Sequence, residues 1–113
     1  MDKVAFYKQK VRGIVEAYVS NIKTTLPDEE VYAVTDDEHG HYLIFRSVWQ
    51  QSRSYGYFLH VRIKNAKVYI EYDGTDYEEG FTGFFVESGI PKEDIVLSFH
   101  PLIARKHTGY GIA

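Results

Sequence analysis

Residues 57–72 read Tyr57-Phe58-Leu59-His60-Val61-Arg62-Ile63-Lys64-Asn65-Ala66-Lys67-Val68-Tyr69-Ile70-Glu71-Tyr72. Two extended runs, Tyr57 to Lys64 and Lys67 to Tyr72, meet here across Asn65-Ala66. With those two residues as the turn, Ile63 faces Val68, Val61 faces Ile70 and Leu59 faces Tyr72. The opposite side pairs Arg62 with Tyr69 and His60 with Glu71. Successive strand residues point to opposite faces, so this sorting of apolar from polar predicts a hairpin in a sheet with one buried face.

Working outward toward the N-terminus, Gln50 to Gly56 is polar and reads as a loop. Before it, Val31 to Asp36 and His41 to Trp49 flank the bend Asp37-Glu38-His39-Gly40, where Gly40 can supply the positive dihedral of a hairpin loop. A four-residue loop faces Val34 with Leu43 and Tyr32 with Phe45; a three-residue loop shifts every pair. Residues 2 to 24 read as an amphipathic helix. Val4, Tyr7, Val11, Ile14, Val15, Tyr18 and Ile22 recur at spacings of three and four, and Lys3, Lys10, Glu16 and Asn21 form the solvated side. Asp2 is its expected N-cap and Pro27 its stop.

Toward the C-terminus, Asp73-Gly74-Thr75-Asp76 reads as a turn into a second helix. Thr75 or Asp76 is the expected cap, and Glu78 and Glu79 stand near the positive end of the helix dipole. The helical body is expected from Gly80 to Ser88, with Gly89 as the stop. Pro91 opens one further turn through Lys92, Glu93 and Asp94, and Ile95 to Phe99 suits a short strand. A helix stripe and a sheet face must each be buried, and packing one on the other does both. The expected fold is α+β: a long N-terminal helix packed on an antiparallel sheet of four to five strands built from two hairpins, then a second helix, a short C-terminal strand and an ordered tail. Residues 1–113 form one domain.

Composition limits the chemistry. The chain has 113 residues, no cysteine, and a formal net charge of -3. A disulfide framework, a thiol nucleophile and a zinc–thiolate site are therefore excluded. An acidic balance disfavours autonomous DNA binding, which needs a basic face. No signal-like or membrane-length apolar run is present, so a cytoplasmic protein is expected. Ten tyrosines, seven phenylalanines and one tryptophan suit half-buried sheet faces and interfaces, and self-association as a homodimer or higher oligomer is expected from them.

Candidate sites are few. His39 and His41, beside Asp36 and Asp37, can be read as metal ligands, and His60 opposite Glu71 as a general base. An exposed turn and a cross-strand pair account for them more simply. The carboxylates Asp36, Asp37 and Glu38, and separately Asp73, Asp76, Glu78 and Glu79, fit turns and caps. Trp49, Tyr55, Tyr57 and Phe58 can form a base-stacking platform, but on an acidic domain core or protein-interface aromatics are favoured. The block after the last strand stands apart. It joins His100, Pro101, Arg105, His107, Thr108 and Tyr110 to apolar Leu102, Ile103 and Ile112, so it must pack against something, and its six polar, ring and proline positions form the candidate partner-binding set.

The chain resembles the XisI family, the fdxN element excision controlling factors. The resemblance rests on Val48-Trp49, Asp73-Gly74-Thr75, the run Gly89 through Pro101, Arg105, and Thr108-Gly109-Tyr110. It departs from the family pattern at Leu102, where a second proline is common, at Asn65-Ala66, and in a longer stretch from Tyr77 to Gly80. The resemblance implies a non-enzymatic accessory factor for programmed excision of a DNA element, without cofactor, acting through an XisH-like nuclease-fold partner and touching DNA only indirectly. The alternatives are an inhibitor or antitoxin-like partner of a nuclease, and a metal-dependent hydrolase.

Overall fold

A computed structural model describes residues 2–22, 24, 26, 28–74 and 80–112. The Asp2 carboxylate accepts the N–H groups of Val4 and Ala5 at 3.0 and 3.4 Å and so starts helix α1 (Lys3–Asn21). The three-and-four spacing buries Tyr7, Val11 and Val15, with Val4, Ile14 and Tyr18 packed beside them. Each fully buried valine is worth about 1.5–3 kcal/mol of transfer free energy. The helix ends three residues earlier than expected, because Ile22 is already extended while its N–H closes on the Tyr18 carbonyl at 3.0 Å. The expected stop, Pro27, lies outside the described residues.

Five strands form one sheet in the order β1 (Glu29–Asp36), β2 (His41–Trp49), β3 (Arg53–Lys64), β4 (Lys67–Asp73) and β5 (Ile95–Leu97). The first four are antiparallel. β5 instead runs parallel to β4. The chain returns to it through α2 (Thr82–Glu87) and a 3₁₀ turn (Lys92–Asp94), a crossover of the kind parallel pairing requires. The sheet is therefore mixed.

Both hairpin turns are tight. Gly40, at φ +72°, donates to the Asp36 carbonyl at 2.8 Å and closes a four-residue loop, so Val34 faces Leu43 and Tyr32 faces Phe45. Asn65 and Ala66 both take positive φ, 53° and 57°, which gives the turn a left-handed pair without a glycine. Ile63–Val68, Arg62–Tyr69 and Val61–Ile70 pair as the sequence predicts. Beyond them the register shifts by one residue. His60 faces Tyr72 and Leu59 faces Asp73, so the expected pairs Leu59–Tyr72 and His60–Glu71 do not form. The slip places Asp73 where its carboxylate accepts the Phe81 N–H at 2.9 Å ahead of α2.

A second shift lies between β2 and β3, where Ile44 faces Leu59 but Phe45 faces Tyr57. Phe58, the extra residue, packs on the core with its ring 6.1 Å from that of Tyr18. The ladder continues past it through Tyr55–Ser47 and Ser54–Val48, so the expected loop from Gln50 to Gly56 contracts to residues 50–52. The second helix is also shorter than expected, and its anticipated caps Thr75 and Asp76 lie outside the described residues, as do Glu78 and Glu79. Gly89, at φ +105°, ends that helix as expected. The core lies between α1 and one sheet face, around Tyr42, Ile44, Leu59, Val61, Ile70, Phe81 and Phe85.

Candidate functional site

The segment after β5 folds back on the sheet edge as a clasp. The Ser98 N–H bonds the Ile70 carbonyl at 2.9 Å, and at the far end the Gly111 N–H bonds the Ile95 carbonyl at 2.7 Å. Gly111 pairs with Val96 as a parallel bridge, and a Cβ there would stand 2.7 Å from the Glu93 carbonyl oxygen. Between these anchors lies α3 (Leu102–Arg105). Arg105 reaches back to donate from Nε to the His100 carbonyl at 3.0 Å and from Nη2 to the Ser98 carbonyl at 3.2 Å. The Thr108 hydroxyl donates to the Arg105 carbonyl at 2.8 Å and accepts the Tyr110 N–H at 3.1 Å. The His100 ring lies 4.6 Å from that of Phe99, and Lys92 stands over the Tyr110 ring. Pro101 and His107 are exposed. So the six candidate residues share one folded segment, but Arg105 and Thr108 spend their polar groups on its own backbone. Phe99, Ile103 and Ile112 remain 47%, 75% and 59% exposed on that bonded frame.

The root of the clasp is tied to α1. Asp94 is buried, accepts the Tyr7 hydroxyl, and pairs with Lys3 at 2.7 Å. Burial pushes the Asp94 carboxyl up, but the bonds from Lys3 and Tyr7 and the Lys3 charge outweigh it and hold the group below its ordinary range. Burial, reinforced by the bond to Asp94, drives the Tyr7 hydroxyl far upward.

The other notable surface is the sheet face turned away from α1. On it Tyr32 stacks on Phe45 at 5.6 Å, and Phe45 contacts Tyr55 and Tyr57 at 6.2 and 6.3 Å. Tyr57 meets Tyr72 edge-on at 5.5 Å. Val34, Trp49, Tyr55, Tyr57 and Tyr72 keep between 44% and 56% of their surface exposed. Within this array His41 Nδ1 and His60 Nε2 lie 3.2 Å apart, with ring centroids at 5.4 Å. The centroid distance is nearly the N···N distance plus two ring radii, so the two nitrogens point at each other at hydrogen-bond distance. Burial lowers the His60 pKa, and the neighbouring His41 lowers it further.

A sequence model of the family described as XisI protein matches residues 1–112. The chain belongs to the XisI family. Its fold is similar to the crystal structure of a XisI-like protein from Anabaena variabilis ATCC 29413, with a TM-score of 0.86 and 31% identity over 97% of this chain and 99% of that one. It is also similar to the structure of fdxN element excision controlling factor XisI from the same organism, with a TM-score of 0.81 and 29% identity over 99% of this chain and 100% of that one. No curated protein matches the chain.

Within this XisI-family chain, the run from Gly89 to Pro101 is scaffold along most of its length. Gly89 stops α2, Pro91 precedes the 3₁₀ turn, Asp94 binds α1, Ile95 to Leu97 form β5, and Pro101 caps α3. The other candidates are dispersed. His39 pairs with Asp36 at 2.8 Å, whereas His41 turns to His60. Asp37 accepts the Tyr42 hydroxyl at 2.7 Å and binds Arg12, and these partners hold its carboxyl low. Among the described residues no three His, Cys, Asp or Glu side chains are grouped to hold a metal ion, and no helix is long and apolar enough to cross a membrane. Of the four aromatics considered as a platform, Trp49, Tyr55 and Tyr57 are exposed and Phe58 turns inward. The histidine pair and the continuity of the aromatic face were missed. The signal for the face was in the first hairpin, whose alternate set Tyr32, Val34, Leu43 and Phe45 is as apolar as the set facing the helix.

Proposed function

We propose that this chain is a non-enzymatic accessory factor that controls programmed excision of a DNA element by binding an XisH-like nuclease-fold partner through its C-terminal clasp. Membership of the XisI family, and the excision-controlling description carried by one structural relative, support the role. The observation that carries the docking surface is the exposure of Phe99, Ile103 and Ile112 on a frame fixed by hydrogen bonds. A pre-ordered segment loses little conformational freedom on binding, so its exposed apolar groups contribute more of their burial to affinity. His100, Pro101, His107 and Tyr110 supply polar and ring contacts around them, while Arg105 and Thr108 act by holding the segment in shape.

Co-expression with an XisH-like protein tests this reading. A stable complex is expected, and His100→Ala, Arg105→Ala and Tyr110→Ala should each weaken it more than His39→Ala. No complex at micromolar concentrations would remove the partner. Equal effects of all four substitutions would remove the clasp as its docking surface.

A further inference from the structure

The open face of β1–β3 carries its charges in an ordered pattern. The register places Asp36, His41 and Arg62 in one row across the three strands at one end. The next two rows are Val34, Leu43 and His60, then Tyr32, Phe45 and Tyr57. Glu30, Ser47 and Tyr55 follow, and β2 and β3 run one row further to Trp49 and Arg53, the Arg53 side chain reaching back to bond Ser47 at 3.2 Å and lying 4.4 Å from the Tyr55 ring centroid. Each end thus has an acid on β1 and an arginine on the β3 side, with apolar and aromatic rows between them.

This sign balance selects the occupant. A nucleic-acid face would be basic throughout, and a face made for a strongly charged protein would carry the opposite sign throughout. Lys64, at the rim of the same face, lies over the Tyr69 ring, and Asp36 also holds His39; across the rows themselves two acids matched by two arginines suit a surface that is its own complement. A two-fold axis parallel to the strands and lying over β2 exchanges β1 with β3 and keeps the ends together. Asp36 of one copy then meets Arg62 of the other, Glu30 meets Arg53, and the aromatic rows meet each other. An axis across the strands would instead bring Asp36 onto Glu30 and Arg62 onto Arg53. Exposed tyrosines and a tryptophan are the side chains enriched at such contacts. We propose that the chain forms an isologous dimer through this face, two sheets packed on each other about a two-fold axis along β2. The proposal does not depend on the partner read from the clasp.

Charge reversal tests both the face and the axis. One variant carries Arg53→Glu and Arg62→Glu, the other Glu30→Lys and Asp36→Lys. Each alone sets like charges against like, and dimerisation should weaken on the order of 100-fold in sedimentation equilibrium. Mixed in equal amounts, the two variants should form a heterodimer, since every facing pair is again opposite in sign. Far-ultraviolet circular dichroism checks that both variants keep the wild-type fold. A wild-type chain that stays monomeric at high micromolar concentration would overturn the proposal. So would variants that dimerise as well as wild type, or a mixture that gives no heterodimer.

Discussion

The clasp and the open sheet face use the same groups in opposite ways. In the clasp, side chains satisfy the backbone: Arg105 binds two carbonyls and Thr108 binds a carbonyl and an N–H. In the sheet, strand pairs satisfy the backbone, and the outward side chains are left to meet one another or a partner. A short irregular segment has orphan backbone groups that need partners when they are removed from water. Its polar residues are drawn into that work first. The lesson is that the residues most suggestive of chemistry hold the fold, while tyrosines and phenylalanines that resemble core lie on the surface.

The sharpest way to break this contrast is at the root of the clasp. Asp94→Ala leaves the buried Tyr7 hydroxyl without its acceptor and Lys3 without its partner, and should cost about 3 kcal/mol in urea unfolding at pH 7. The Asp94 pKa is depressed on folding, so its contribution is full above the unfolded carboxylate value of about 4 and is lost as pH falls through the folded value. The stability gap between wild type and variant should therefore narrow toward pH 3.

Arg105→Ala comes next, at about 2 kcal/mol, with faster hydrogen exchange of the Tyr110 and Gly111 amides. Arg105→Lys should recover less than half of that loss, since one ammonium does not reproduce the planar fork that spans two carbonyls. A full rescue by lysine would show that charge, not geometry, holds the clasp.

On the sheet face the effects on folding are smaller. The His41–His60 pair should contribute about 1 kcal/mol. The His60 pKa is lowered on folding, so this contribution is present above the unfolded value of about 6.5 and declines as pH falls below it. Asp36 on β1, Arg62 on β3, and Glu71 and Tyr72 on β4 surround the pair, so the comparison of wild type with His60→Asn is best made between pH 7.5 and pH 5.5 at fixed salt. A gap unchanged across that range would mean that the pair does not titrate. Ala66→Gly should shift stability least and in the other direction, a gain of up to about 1 kcal/mol, because glycine takes φ +57° without the Cβ penalty.

Much of the fold was legible where side chains report directly on burial. The helix stripe from Val4 to Tyr18 and the pairs Ile63–Val68 and Val61–Ile70 follow from periodicity alone. The bulge that turns His60 from Glu71 to Tyr72 was not legible, because it depends on Asp73 reaching a backbone N–H eight residues further along the chain. Nor was the direction of β5: Ile95, Val96 and Leu97 would be equally apolar running either way, and the crossover decides. For the candidate site, the sequence marked out the segment from His100 to Tyr110 but not the use of Arg105 inside it. Which carbonyls a guanidinium meets is set by the tertiary path of the chain.

The bond between Tyr7 and Asp94 spans 87 positions of sequence. During synthesis at roughly 5–20 residues per second, the tyrosine waits about 4–17 s for its acceptor to be made. Through that interval α1 can rest on the hairpins but lacks the bond that fixes its first turns. Until the hairpins are made the apolar stripe of α1 is open to wrong contacts, and its first turns stay unfastened until Asp94 arrives. A mutation that slows closure near Asp94 would lower the yield of folded protein more than it lowers the stability of the molecules that do fold.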